Sequence, residues 1–316
     1  MLNRRILRIK AFKVLYEYAV RGGMSLEEAL AELDRSCESV RDLYLFMLAI
    51  AGPLTAEARK RIEAARSKIN PTEEDLNPNE KFADNMLAPV LANDSDFQKL
   101  LAKKKLSWER YDLFVTKTMD SVAASDYYKK YMEAPGRSLR EDCALFRKIY
   151  ENEFEDSPEL HAIMEDLSIY WLDDLGYALM WDCRTMDDLG RGRRWRLPEL
   201  YQSEETLKKN PGAAVDSDRA FVRKLLTCAF TGYEATFAKV TEAVPDWDKD
   251  RLFAADLAII ALGVAETSNF PEIPRQVSLN EYVEISKFYC SPKSRQFVNG
   301  LLDRLTQTSA ETIQNQ

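Results

Sequence analysis

The sequence predicts an all-α protein, on three observations. Apolar residues recur at helical intervals at both ends of the 316-residue chain: Leu7, Ala11, Val14 and Tyr18 at steps of 4, 3 and 4, and Val298, Leu301, Leu302 and Leu305 at i, i+3, i+4 and i+7. No convincing alternation of apolar and polar residues interrupts them. Glycine is scarce, at 11 residues, and neither G-x-G-x-x-G nor a Walker A sequence occurs, which argues against a doubly wound nucleotide fold built on repeated glycine turns.

The elements follow in order. Gly22-Gly23 ends the first helix, and Ser25 with Glu28 forms a capping box for a second that runs at least to Leu33. Asn70-Pro71 through Asn77-Pro78-Asn79, Ala134-Pro135-Gly136, Gly190 to Pro198 and Asn210-Pro211-Gly212 read as loops. Ile169 to Trp181 looks like a buried helix. From Asp216 the helical pattern resumes. Ser278 with Glu281 gives another capping box, and Ser291-Pro292 sets an N-cap before a proline at the first helical position.

Composition excludes several chemistries. A lone His161 cannot supply a multi-histidine zinc site or the paired Glu-x-x-His of a di-iron bundle. The five cysteines, at 37, 143, 183, 228 and 290, are scattered and never form C-x-x-C, so no disulfide framework or zinc ribbon is expected and a reducing cytoplasm fits best. No stretch approaches the roughly 20 apolar residues of a membrane span. The paired acids Asp173-Asp174 and Asp187-Asp188 are poor catalysts, because adjacent helical residues diverge by about 100°. No catalytic residue, metal site or cofactor is expected.

The net charge of 44 − 52 = −8 hides segregation. Residues 1–21 hold six cations (Arg4, Arg5, Arg8, Lys10, Lys13, Arg21) against Glu17, a local +5 that leaves −13 for the rest, and residues 141–190 hold 14 acids against three cations. Such blocks fit either solvated helix faces or surfaces for different partners. On the first helix, Ile9, Phe12 and Tyr16 form a second arc beside the apolar stripe, which suits a central bundle helix or an aromatic, basic flank left open. On the last helix Phe297 lies roughly 90° from the apolar face, on the flank of Lys293 and Arg304. An aromatic beside cations suits a stacked unpaired base and its phosphate, and equally a helix contact.

These ends carry a resemblance. Val277-Ser-Leu-Asn-Glu281-Tyr-Val-Glu-Ile-Ser-Lys287, followed by Phe297-Val-Asn-Gly300-Leu-Leu-Asp303, resembles the C-terminal signature of the NusB transcription antitermination factors, and Arg4-Arg5-x-x-Arg8-x-x-Ala11-x-x-x-Leu15-Tyr16 resembles that family's arginine-rich opening helix. Phe221 to Leu226 looks like the family's third helix, and Phe253 to Glu266 like its central hydrophobic helix before Glu272-Ile273-Pro274. The resemblance implies a two-subdomain helical bundle with a large helical insertion between its second and third helices. The core would comprise residues 1–36 and 214–316, and the insertion residues 37–213.

It also implies function. Family members are not enzymes; they bind boxA-type single-stranded RNA of ribosomal RNA transcripts with ribosomal protein NusE, join the RNA polymerase antitermination complex and support ribosome biogenesis. Carried over, Arg4, Arg5 and Arg8 match the basic opening, to whose charge Lys10 and Lys13 would add in RNA binding, Tyr16 a tyrosine near the RNA and partner surfaces, and Phe297 the RNA-contacting aromatic. Lys293 stands where many members have an acid, which would strengthen phosphate attraction. Ile6 interrupts the basic run. Asp256 matches an acidic position toward the NusE side. Asn280, Glu281, Asn299 and Gly300 read as capping and packing, with Gly300 for close helix contact. A cytoplasmic location is implied; monomer and homodimer both stay open.

The insertion holds four of the five tryptophans, at 108, 171, 181 and 195, so it should fold. Its basic run Gly190-Arg-Gly-Arg-Arg-Trp-Arg196 suits either an extended RNA path or a surface loop with a Trp anchor. Two other function classes compete with RNA binding. One is an RNA methyltransferase, disfavoured by the missing glycine loop and β-α alternation. The other is a helical interaction module whose insertion determines its partners.

Overall fold

A computed structural model describes residues 1–201, 218–244 and 253–314. Every regular element among them is helical, and they divide into two compact units: Met1–Cys37 with Glu199–Gln316, and Glu38–Pro198.

In the first unit, helix α1 (Arg4–Arg21) begins where Asn3 accepts the Ile6 N–H at 3.0 Å. It stops at Gly22, whose φ of +63° few other residues adopt and whose N–H reaches Tyr18 O at 2.9 Å. Helix α2 (Leu26–Leu48) opens with the expected box, Ser25 N–H to Glu28 at 2.7 Å and Glu28 N–H to Ser25 at 3.2 Å. It continues well past Leu33, and the division between units falls within it.

The second unit holds α3 (Ala51–Arg66), α4 (Glu73–Leu76), α5 (Leu87–Ala92), α6 (Ser95–Lys104), α7 (Asp112–Ala124), α8 (Asp126–Glu133), α9 (Leu139–Asn152), α10 (Pro158–Leu167) and α11 (Leu175–Gly190). Helix α4 sits inside the stretch expected to be loop, because Thr72 and Asp75 cap a single turn reciprocally. The expected helix from Ile169 to Trp181 starts late: Ile169 is exposed, Leu172–Asp174 is a 3₁₀ turn, and the α-helix begins at Leu175. The tryptophans do anchor this unit. Trp108 stacks on Phe46 at 4.1 Å between centroids and donates to the Phe46 carbonyl at 2.7 Å, and Trp171 closes on the same ring at 5.3 Å.

The first unit is completed by α12 (Asp218–Thr231), α13 (Tyr233–Ala243), α14 (Ala254–Asn269), α15 (Arg275–Tyr289) and α16 (Pro292–Gln314). Helix α14 is buried from Asp256 through Gly263 and packs against α1, α12, α13, α15 and α16, as a helix apolar on all sides must. Helix α1 is likewise a core element, with Leu7, Arg8, Lys10, Ala11, Phe12, Val14 and Leu15 buried.

Two local expectations fail here for definite reasons. Pro274 starts α15 four residues ahead of Ser278, so Ser278 lies inside the helix and its hydroxyl is taken by Glu266 at 2.7 Å instead of capping. Gly300 makes no close contact, since a Cβ there would meet nothing within 4 Å. The close approach is at Gly263, where a Cβ would run into Leu302 of α16 and reach Tyr282 of α15 at 3.4 Å. Gly263→Ala should therefore lower the unfolding free energy by about 1–3 kcal/mol through overpacking, read from the urea midpoint, whereas Gly300→Ala should be neutral or stabilising.

Candidate nucleic-acid interface

The basic opening helix is largely neutralised from within. Arg8 is buried and forms a bidentate pair with Glu266 at 2.8 and 2.7 Å. Glu266 also accepts from Ser278 at 2.7 Å and Tyr282 at 2.8 Å, so this fully buried carboxylate is satisfied from α1 and α15 together. Arg8 further approaches Glu281 at 3.7 Å and lies over the Phe221 ring at 5.3 Å. Such a guanidinium has no free edge for a phosphate. Lys10 is also buried, at 1% exposure. A cation in the core fastens helices and is not offered to solvent.

Arg4 and Arg5 differ. Arg5 pairs bidentately with Glu281 at 2.9 and 2.7 Å, but its side chain is 53% exposed. The hydrogen bond from Arg5 holds the Glu281 carboxyl below its ordinary range. Arg4 stands 3.4 Å from Asp218 and covers the Phe221 ring at 4.7 Å. An exposed pair like that of Arg5 is worth about 0–1 kcal/mol, so a phosphate can displace the Glu281 carboxylate, whereas the Arg4–Asp218 pair is partly buried.

Further along α1, Tyr16 is 43% exposed and lines a cavity of about 290 Å³ with Phe253, Asp256, Cys290, Ser291 and Ser294. Asp256 is buried in the first turn of α14, and its Oδ1 has no hydrogen-bond partner. Burial and then the Asp256 carboxylate push the Cys290 thiol up. The cavity thus joins the N-terminal turn of α14 to the junction between α15 and α16, where Ser291 caps α16 by accepting the Ser294 N–H at 3.2 Å. Phe297, one turn into α16, is half-buried. The Lys293 side chain lies outside the described residues.

The structure therefore gathers Tyr16 with Asp256, and Arg4 with Arg5, while it withdraws Arg8 and Lys10 into the core. Sequence reasoning missed Phe253 and the capping serines as cavity walls. An aromatic immediately ahead of a hydrophobic helix, 60% exposed as it proves, was the available sign.

The sequence profile of the NusB family matches residues 197–307. The transcription antitermination protein NusB of Myxococcus xanthus is 33% identical over 127 residues, covering 36% of this chain and 91% of that protein. The chain belongs to the NusB family. The NusB of Citrifermentans bemidjiense is 32% identical over 114 residues, covering 36% of this chain and 76% of its own length, and that of Methylacidiphilum infernorum 42% over 76 residues, covering 24% and 53%. No solved structure matches. NusB proteins are non-enzymatic transcription factors, and the all-α fold agrees with membership. Helix α1 precedes the matched NusB segment by nearly two hundred residues yet packs on α12 and α14 within it. Among the described residues no helix is long and apolar enough to cross a membrane, and no group of His, Cys, Asp and Glu could hold a metal ion.

Proposed function

We propose that this protein is a transcription antitermination factor that binds boxA-type single-stranded RNA of ribosomal RNA transcripts together with ribosomal protein NusE, without catalysis of its own. Its NusB core is discontinuous, formed by the first unit, with the second unit inserted between the core's second and third helices. Family membership carries this reading, and the geometry supports it at two places. At the start of α1, Arg5 is a cation held by a displaceable surface pair, with Arg4, in a partly buried pair, next to it in the chain. By the family resemblance, Phe297 and Lys293 of α16 would supply a ring and a charge for a stacked base and its phosphate. Tyr16 and Asp256 share a cavity suited to a partner side chain that donates to the unpaired Asp256 oxygen, which is where NusE would engage.

Fluorescence anisotropy with a boxA-like RNA and its scrambled counterpart tests this. Phe297→Ala should weaken boxA binding about 5- to 150-fold, the worth of one stacked base, and Arg5→Gln should reduce the salt slope by about 0.7. Asp256→Asn, which removes the charge without burying a cation, should weaken NusE binding and leave RNA binding by the free protein in place. Equal affinity for both RNAs, unchanged by either of the first two substitutions, would overturn the assignment and favour an interaction module governed by the second unit.

A further inference from the structure

Among the described arginines, Arg110, Arg137, Arg140, Arg194 and Arg196 have no hydrogen bond, ion pair or ring contact, and all are exposed. Four of them lie on two stretches, 137–140 and 194–196, that the fold of the second unit brings together. Gly190, the last residue of α11, abuts the start of α9 so closely that a Cβ there would lie 3.6 Å from Arg140 Cα and 3.4 Å from Cys143 Cβ. The chain then turns at Gly192, with φ of +77° and its N–H on Leu189 O at 2.9 Å. Three residues on, Trp195 pins it again: the indole is buried, donates to the Tyr44 hydroxyl at 2.9 Å and meets the Phe97 ring edge-on at 5.1 Å. A loop fixed at both points holds Arg194 and Arg196 on a groove that Leu139 also lines, the residue just ahead of Arg140 and two after Arg137, at little entropic cost to a ligand.

That these cations stay unpaired is informative, because the second unit has acid to spare. Residues 38–198 contain 30 Asp and Glu against 24 Lys and Arg, a balance of 24 − 30 = −6. Internal pairing would have satisfied them, as it does for Arg193, which meets Asp188 at 2.7 Å. Arg193, Arg194 and Arg196 line a groove of about 900 Å³ with Asp84, Asp94 and Asp96, none of which comes within 4 Å of Arg194 or Arg196. Met86 and Val90, 45% and 37% exposed, line the same groove.

We propose that this surface is a second RNA contact, in which Arg137, Arg140, Arg194 and Arg196 hold the phosphates of a single strand; it rests on the reading of this chain as RNA-binding. Arginine suits phosphate through its planar fork. The aspartates can accept hydrogen bonds from exocyclic amino groups of unpaired bases, which an acidic peptide does not offer, and Met86 and Val90 provide apolar contact for base and ribose. Trp195 is enclosed and takes no part in stacking. Binding here is therefore phosphate-dominated and tolerant of sequence.

The test uses the full chain, oligouridine of about 20 nucleotides and the boxA-like RNA, over a salt series. The variant R137Q/R140Q/R194Q/R196Q removes no internal contact, so its thermal midpoint should match the parent. Its affinity for oligouridine should fall by on the order of tenfold, with the salt slope lower by about 3, from about 0.7 for each phosphate released. Photo-crosslinks from 4-thiouridine should map to peptides spanning 137–140 and 191–196. An unchanged slope with no such crosslink overturns the proposal, as does equal, variant-sensitive binding of polyglutamate. The companion variant R4Q/R5Q separates the two readings. RNA affinity lost there and kept in the fourfold variant sinks this surface alone, whereas the reverse supports this surface and removes the opening helix from the RNA path.

Discussion

Arg8→Ala should lower the unfolding free energy by about 3–5 kcal/mol, the largest effect of any single arginine in the first unit. The substitution leaves Glu266 fully buried with its charge uncompensated. Ser278 and Tyr282 still donate to it, but hydroxyl dipoles do not replace a guanidinium held at 2.7 and 2.8 Å. Three helices lose a common fastening point, since the network ties α1 to α14 and α15. Arg5→Gln, by contrast, should change stability by less than about 1 kcal/mol, because its pair with Glu281 is solvent-exposed. Urea denaturation of both variants, followed by RNA titration under conditions where each remains folded, separates a structural arginine from a binding one. An Arg8→Ala protein as stable as its parent would contradict the buried pairing.

The second large effect concerns pH. Asp182 on α11 is fully buried, neither carboxylate oxygen has a hydrogen-bond partner, and burial raises its pKa well above the ordinary value. Tyr44 and Tyr150 respond to the same site, each pushed up chiefly by its own burial and next by Asp182. The folded protein thus keeps the Asp182 proton at pH values where the unfolded chain, with a pKa of about 3.9, has lost it. Above that value the native state binds more protons, and stability falls by about 1.4 kcal/mol per pH unit until the folded-state pKa is passed. Asp182→Asn removes the proton from the account. Its stability relative to the parent should be level below about pH 4 and then climb, so as the pH rises above that value the parent's thermal midpoint suffers a loss that the variant's is spared. Parallel curves for the two proteins would show that Asp182 is ionised and solvated.

What could be read from the sequence was what local chemistry decides. Gly22 and the Ser25–Glu28 box are where they were expected because turn and cap depend on neighbours within four residues. Ser278 and Glu281 have the same spacing, but the helix starts earlier, at Arg275, and tertiary partners claim both side chains. The all-α class followed from periodicity, and α14 as a central hydrophobic helix from the family resemblance. Arg8 could not be told from Arg5 in this way: both lie on the same basic helix, and what separates them is Glu266, 258 positions away from Arg8. Asp256 was matched by resemblance to an acidic position toward the partner side, yet its burial beside Tyr16 depends on how α1, α14 and the α15–α16 junction meet. The basic run at 190–196 was legible, but which of its arginines stay unpaired was not, since a sequence does not say which cations find acids.

The discontinuity of the first unit sets an order in time. During synthesis at about 5–20 residues per second, Arg8 leaves the ribosome roughly 13–50 s before Glu266 exists to receive it. Residues 38–198 are complete while α1 still lacks every partner it packs against in α12 and α14. The second unit can therefore fold first, and the nascent chain must hold a basic, aromatic helix in waiting until the last third of the protein emerges. A high-separation closure of this kind is entropically slow, so the rate of release of a competent factor should be governed by the docking of α1 on α14 rather than by the larger number of helices that form between them.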